Sequence, residues 1–125
     1  MHKTGTIGKV KTQFFEFNEP KKPLKLRVGA TLPRFTLAYE TYGRMNADRS
    51  NVILLYHAMT GNQHAAGTNL SVPGIDHRWT EELHEGWWDG FIGPGKALDT
   101  KKFCWMHCSR SSKMYATTSD VNSMR

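Results

Sequence analysis

The run Val52-Ile53-Leu54-Leu55-Tyr56 is apolar at every position and ends abruptly in His57-Ala58-Met59-Thr60-Gly61, a small, polar, turn-forming segment. A strand with water on one side alternates apolar and polar residues, whereas one without alternation is buried on both faces, as in a parallel sheet covered by helices. Open α/β sheets bind ligands outside the carboxyl ends of their strands. The expected class is therefore α/β, and residues 57–61 are the first element expected to carry chemistry.

Upstream, a basic lead-in over residues 1–23 holds one edge strand, at 13–17, bounded by Asn18, Pro20 and Pro23, which stop any helix. Residues 24–28 and 35–42 read as strands joined by Gly29-Ala30-Thr31-Leu32-Pro33, so an antiparallel hairpin is the natural pairing. In the second of them Leu37, Tyr39 and Thr41 alternate with Thr36, Ala38, Glu40 and Tyr42, a half-buried pattern. A polar loop at 43–50 leads to Val52. After Gly61 comes an irregular stretch rich in Gly, His and Asn, longer than the ~12–15 residues of an ordinary connection and so expected to be a functional loop. Thr80-Glu81-Glu82-Leu83-His84 predicts a helical turn, with Asp76 or Thr80 as N-cap. Trp87, Trp88, Phe91 and Ile92 have the spacing of a short helix burying one face, limited by Gly90, Gly93 and Gly95. The next strand is expected at 101–107. Residues 110–125 have few large apolar side chains and no periodicity, and are expected to be disordered.

The formal charge of +6 is unevenly spread. Residues 1–27 hold seven Lys/Arg against two Glu, residues 28–109 seven against eight acidic groups, and residues 110–125 three against one. The excess sits at the two ends. Lys9, Lys11, Lys21, Lys22 and Lys25 lack the aromatic interleaving or helical face of a nucleic-acid surface, so no nucleic-acid partner is expected. No apolar stretch of the secretory type follows the N-terminal basic residues. No run approaches the ~20 residues of a spanning helix, so no membrane partner is expected either. Cys104 and Cys108 fall in a buried strand and its exit, which fits a reduced, cytoplasmic protein.

Five ordered segments carry a more specific signal: Tyr39-Glu40-Thr41-Tyr42-Gly43, Asn46-Ala47-Asp48, His57-Ala58-Met59-Thr60-Gly61, Gly86-Trp87-Trp88-Asp89 and Gly93-Pro94-Gly95-Lys96-Ala97-Leu98-Asp99-Thr100. In this order they resemble the N-terminal part of the homoserine O-acetyltransferases, α/β-hydrolase-fold enzymes of methionine biosynthesis, over about residues 24–108. The resemblance implies an incomplete α/β-hydrolase fold: an antiparallel hairpin plus the first parallel strands, with short helices and a disordered C-terminal tail. It divides the chain into the lead-in 1–23, the N-terminal part of the domain at 24–109 and an unrelated tail at 110–125. Such a sheet needs about eight strands in a domain well beyond ~200 residues, so these residues are expected to be its opening portion. Where members of the family continue into a Gly-rich segment this chain departs, and a frameshift or gene-end artefact near Trp105 is the expected origin, testable at the encoding locus. The implied reaction moves an acetyl group from acetyl-CoA, a substrate, to the hydroxyl of L-homoserine. No bound cofactor is implied, and the intact enzyme is expected to be a homodimer.

An acyltransferase of this fold needs a Gly-x-Ser-x-Gly elbow, whose small flanking residues permit the sharp turn that exposes Oγ. Ser50, Ser71, Ser109, Ser111, Ser112, Ser119 and Ser123 all lack the flanking glycines. The family's Asp and His follow the Ser in chain order, so no catalytic triad residue is expected here and the chain alone is expected to be inactive. What the resemblance does supply is half an oxyanion hole. The loop after the third strand gives one backbone donor; by resemblance this is Met59, with His57, Ala58, Thr60 and Gly61 as its supporting loop. His57 is then a residue that fixes loop geometry through a hydrogen bond and not a proton-transfer group.

Other constellations have plainer readings. His64, His77 and His84, near Asp76 and Glu85, match no standard ligand spacing, and Cys104, His107 and Cys108 alternate faces on a strand without a second ligand pair, so no metal is expected. Trp87 and Trp88 read as core and not as a stacking platform. Gly93-Pro94-Gly95-Lys96 lacks the spacer and the Ser/Thr of a phosphate loop and reads as a turn. Two alternatives stand beside the acetyltransferase reading: a fragment of a homoserine O-succinyltransferase, or a non-catalytic, partner-binding remnant. In the family's sheet Val52–Tyr56 is central, so without later strands it would present an unpaired apolar edge.

Overall fold

A computed structural model of the chain describes residues 7–58, 61–108 and 113–114. In chain order the described strands are β1 (Gln13–Asn18), β2 (Leu24–Lys25), β3 (Thr31–Leu32), β4 (Arg34–Tyr42), β5 (Val52–Tyr56), β6 (Ile92–Gly93), β7 (Leu98–Asp99), β8 (Cys104–Cys108) and β9 (Lys113–Met114). Among the described residues the helical content is two 3-10 turns, Asp76–Arg78 and Glu81–Leu83. Of the tail expected to be disordered, Lys113–Met114 pairs antiparallel with Phe35 and Thr36 of β4, and the rest lies outside the described residues.

The principal sheet is ordered β1-β4-β8-β5. β1 and β8 flank β4 antiparallel, and β5 runs parallel to β8, Val52 opposite Cys104 and Tyr56 opposite Cys108. The expected pairing of 24–28 with 35–42 is not formed: Leu24–Lys25 pairs with Thr31–Leu32, inside the expected turn, in a short hairpin closed by Leu26 N–H to Ala30 C=O at 2.8 Å. The long strand that follows does not return along residues 24–28. It pairs instead with the lead-in strand β1, with Phe17 stacked on Phe35 at 4.8 Å between ring centroids.

Strand alternation sorts the sheet into two faces. The inner face carries Ala38, Glu40 and Tyr42 of β4, Trp105 and His107 of β8, and Ile53 and Leu55 of β5; Tyr42, Trp105, Ala65, Ala66 and Ile92 form the buried core against which Ile53, Leu55, Trp88 and Leu98 pack. The irregular segment from Gly61 onward, not a helix, covers this face. Among the described residues nothing comparable covers the other face, which is why β5, expected to be buried on both sides, leaves Leu54 45% and Tyr56 75% exposed.

The aromatic segment at 87–92 forms a turn and not a helix face. Ile92 is fully buried, Trp88 is half-buried, and Trp87 and Phe91 are exposed. Neither Asp76 nor Thr80 caps a turn with its side chain. The Gly93-Pro94-Gly95-Lys96 turn joins β6 to β7 under Asp99, whose Oδ1 accepts the N–H groups of Gly95 at 3.0 Å and Lys101 at 2.9 Å. Lys96 Nζ donates to the Asp89 carbonyl and lies 3.7 Å from its carboxylate, so that lysine is engaged in holding the turn.

Candidate active site

β5 ends where its parallel neighbour β8 ends, and the loop that leaves it begins at His57, placing His57 and Ala58 at the carboxyl edge of the parallel pair. The N–H of Gly61 donates to the Ala58 carbonyl at 3.0 Å, a bond that spans Met59 and Thr60, which lie outside the described residues. His57 Nδ1 donates to the Ala58 carbonyl as well. The His57 ring folds over Gly61 so closely that a Cβ there would meet His57 Cβ at 2.7 Å, so only glycine fits beneath it. His57 also meets His107 edge-on at 5.5 Å between ring centroids.

Behind this loop lies a polar network that composition and spacing did not announce. Glu40, in the middle of β4, is 0% exposed, and His64 is 1% exposed. Glu40 Oε1 accepts Thr12 Oγ1 at 2.8 Å and Asn69 Nδ2 at 3.0 Å; Oε2 accepts Tyr42 OH at 2.7 Å and His64 Nδ1 at 2.8 Å. Thr12 Oγ1 is itself an acceptor for Gln63 Nε2 and Asn69 Nδ2, and Tyr42 OH for the Ala65 N–H at 2.8 Å. Thr12 Oγ1, with both of those donors upon it, directs its proton at the carboxylate, and the Tyr42 hydroxyl, which also lies 3.2 Å from the Gln63 carbonyl, makes its shorter contact there. The carboxylate's roughly four lone-pair positions are thus all met by groups able to donate.

His64 bridges Glu40 and the 81–85 turn. Its Nδ1 faces the Glu40 carboxylate and its Nε2 faces the His84 carbonyl at 2.9 Å, so beside an ionised Glu40 both ring nitrogens donate, an arrangement that favours the imidazolium. Trp79 lies against it, 5.7 Å between centroids, and donates its Nε1–H to the Asn69 carbonyl at 2.8 Å. Burial alone would lift Glu40, but the hydrogen bonds of His64 and Tyr42 and the charge of His64 outweigh it and hold the carboxyl below its ordinary 4.5. For His64 burial acts downward, and the bond to Glu40, its charge and the His84 carbonyl outweigh it, raising the group above 6.5. Burial and the Glu40 charge push the Tyr42 phenol far upward, so it stays neutral.

His107, also 1% exposed, donates Nδ1–H to the Gln63 carbonyl at 2.9 Å, and burial lowers it below 6.5, keeping it neutral. Cys104 and Cys108 are free thiols, both raised by burial and so poor thiolates. Among the described residues no three His, Cys, Asp or Glu side chains converge as a metal site requires. His77 is exposed on the first 3-10 turn, and His84 meets His64 through its backbone and not its ring. A pocket lined in part by Ala58, Gly61, His64, Glu82, Glu85 and Trp87 opens beside the loop, with about 380 Å³ available.

The signal for the network was present in the sequence as Glu40 and Tyr42 on one face of a strand, and as His64-Ala65-Ala66-Gly67, where small residues let the backbone run flat against that face. An acidic residue two positions from a tyrosine reads equally well as a solvent face, which hid it.

No family model matches the chain. Individual proteins do. It is 51% identical over 81 residues to a homoserine O-succinyltransferase of Hydrogenovibrio crunogenus, covering 65% of this chain and 18% of that protein. It is 41% identical over 112 residues to a homoserine O-acetyltransferase of Moorella thermoacetica, covering 90% of this chain and 27% of that protein. The chain thus spans about a fifth to a quarter of the length of these relatives. Among crystal structures, esterase E22 matches with a TM-score of 0.62 and 33% identity over 80% of this chain and 24% of its own. A homoserine O-acetyltransferase from Bacillus anthracis matches with a TM-score of 0.60 and 36% identity over 80% of this chain and 23% of its own.

Proposed function

We propose, from the premise that this chain belongs to the homoserine O-acyltransferase family as an N-terminal portion of its α/β-hydrolase fold, that it carries the oxyanion-loop half of an acyl-transfer site. The observation that supports this most is the position of His57 and Ala58 at the carboxyl end of β5, with His57 folded onto Gly61 and Gly61 tied to Ala58. In this fold the loop after the third strand gives one backbone N–H to the oxyanion, and the residue after the nucleophile gives the other. The reading assigns the first donor to Met59, with His57, Ala58, Thr60 and Gly61 holding it.

The whole reaction then runs in two steps. A serine Oγ attacks the acyl-CoA thioester carbonyl and the CoA thiolate leaves; the homoserine hydroxyl then attacks the acyl-serine ester and the serine oxygen leaves. The nucleophile must come from the part of the family that follows the matched segment, because no serine in these 125 residues has the flanking glycines. Acetyl-CoA is the donor assigned here. Succinyl-CoA is the second reading, since relatives of both names match this chain. A cytoplasmic homodimer belongs to the same proposal; among the described residues no helix is long and apolar enough to cross a membrane.

The test is thiol release from acetyl-CoA in the presence of homoserine. The chain alone should give none above buffer. Co-expressed with the nucleophile-bearing remainder of the Bacillus anthracis enzyme it should turn over, and Met59→Pro, which removes the backbone donor, should lower that rate by about 10²–10³-fold while Met59→Ala does not. Turnover by the chain alone, or equal rates for the two variants, would overturn the assignment; a folded chain that never supports turnover would favour the non-catalytic, partner-binding reading.

A further inference from the structure

We infer that Glu40 and His64 form a buried carboxylate–imidazolium pair that positions the oxyanion loop by fastening the segment leaving it, residues 61–69, to β4 on one side and to the 81–85 turn on the other. This rests on reading 57–61 as the oxyanion loop. The pair itself rests on geometry. Four groups able to donate surround the Glu40 carboxylate, and the His64 ring lies between that carboxylate and the His84 carbonyl.

His64 is three residues beyond Gly61, and the intervening backbone is pinned at each step. Asn62 Oδ1 accepts the His64 N–H at 2.9 Å, the Gln63 carbonyl accepts His107 Nδ1–H at 2.9 Å, and the Ala65 N–H donates to Tyr42 OH. Glu40 and Tyr42 project from the same face of β4, so two of these attachments share one strand register. Beyond the pair, Gly67 N–H donates to Asp89 Oδ1 at 2.8 Å. The segment therefore leaves the loop along a path with little freedom to shift, and among the described residues its single ionic fastening is the pairing of His64 with Glu40.

Among the described residues the charged and titratable groups around His64 are few. Glu40 and Tyr42 face it from β4, Asp89 adds a favourable negative charge from the 86–90 turn, and Glu82 and Glu85 share the pocket it borders. Neutralising either member takes from the other the partner that keeps it charged in the core, so that it must either stay unpaired or give up its charge, which disturbs the site far more than losing an exposed ion pair. The place where that disturbance acts is the segment adjoining Gly61, and not the β5–β8 ladder.

Two measurements on the full chain, labelled with ¹⁵N, test this. Ring ¹⁵N spectra should show both His64 nitrogens protonated at pH 8, where an ordinary imidazole of pKa ~6.5 is almost wholly neutral, and in Glu40→Gln the ring should return to the neutral form. In that variant amide exchange at Gly61 and Ala65 should accelerate at least ~10-fold while the β5–β8 ladder amides keep their rates, the signature of local opening. Should Glu40→Gln fail to fold, raising the pH of the unaltered chain until His64 deprotonates should accelerate the same amides beyond the intrinsic pH effect. A His64 that carries one proton at pH 8, or exchange that is unchanged at Gly61 or uniformly faster throughout the sheet, overturns the proposal. No turnover is needed for these readouts, so they stand or fall separately from the Met59→Pro test.

Discussion

Glu40 stays ionised inside the sheet because four donors surround it, one of them a cation, and that arrangement makes its contribution depend on pH at both ends. A carboxyl held below its ordinary 4.5 stabilises the fold fully above that value, and the contribution is lost as pH falls through the lowered value. An imidazole held above its ordinary 6.5 stabilises fully below 6.5, and the contribution is lost as pH rises through the raised value. The pair thus supports the fold most between about 4.5 and 6.5. Thermal melts across pH 3–10 should show the midpoint falling on both sides of this window. Glu40→Gln should flatten the alkaline limb, since His64 then has no partner to lose; an alkaline limb of unchanged slope would remove the pair as its cause.

At the scale of elements, the turn at 86–90 and the strap at 64–67 touch backbone to backbone. Trp88 N–H donates to the Ala65 carbonyl at 2.7 Å and Gly86 N–H to the Gly67 carbonyl at 3.0 Å. A Cβ on Gly86 would lie 2.1 Å from Ala66 N and 2.4 Å from Ala65 C, whereas one on Gly90 would meet nothing within 4 Å. Gly86→Ala should therefore destabilise the chain by about 3 kcal/mol, the upper end for forced overpacking, and Gly90→Ala should stay within about 1 kcal/mol of the parent. Urea unfolding midpoints of the two variants check this, and equal midpoints would deny the close approach. Gly86 was legible as part of a motif but not as a contact, because the motif gives spacing along the chain while the clash is with residues twenty positions earlier. Strand positions were legible for the opposite reason: Val52–Tyr56 and the alternation from Phe35 to Tyr42 are local patterns. Which strand paired with which was not. β4 chose β1 over the residues nearer in sequence, because Pro33 and the short β2–β3 hairpin turn the chain away before a longer ladder can form. Likewise the face of β4 that carries Glu40 became the inner one only through residues 12, 64 and 69, each distant in sequence.

For the whole molecule, the sheet's two faces differ. One is sealed by the irregular segment after Gly61, and the other presents Leu54 and Tyr56 on β5, a strand that among the described residues pairs only with β8. An apolar strand with an open edge recruits further strands. The chain should therefore associate as its concentration rises, and Leu54→Lys, which places a charge on the exposed face, should shift it toward monomer in sedimentation velocity; association unchanged by the substitution would locate the contact elsewhere. The strand order carries a further consequence in time. β4 and β5 follow one another in the chain yet never pair, since β8 fills the slot between them, Tyr42 meeting Trp105 and Val52 meeting Cys104. About fifty residues must be made and ordered before either bond ladder can close, and such long-range closure slows folding. During synthesis the nascent chain would hold two strands apart around an empty slot until β8 leaves the ribosome, so a translational pause before residue 104 would prolong the state most open to chaperones and proteases.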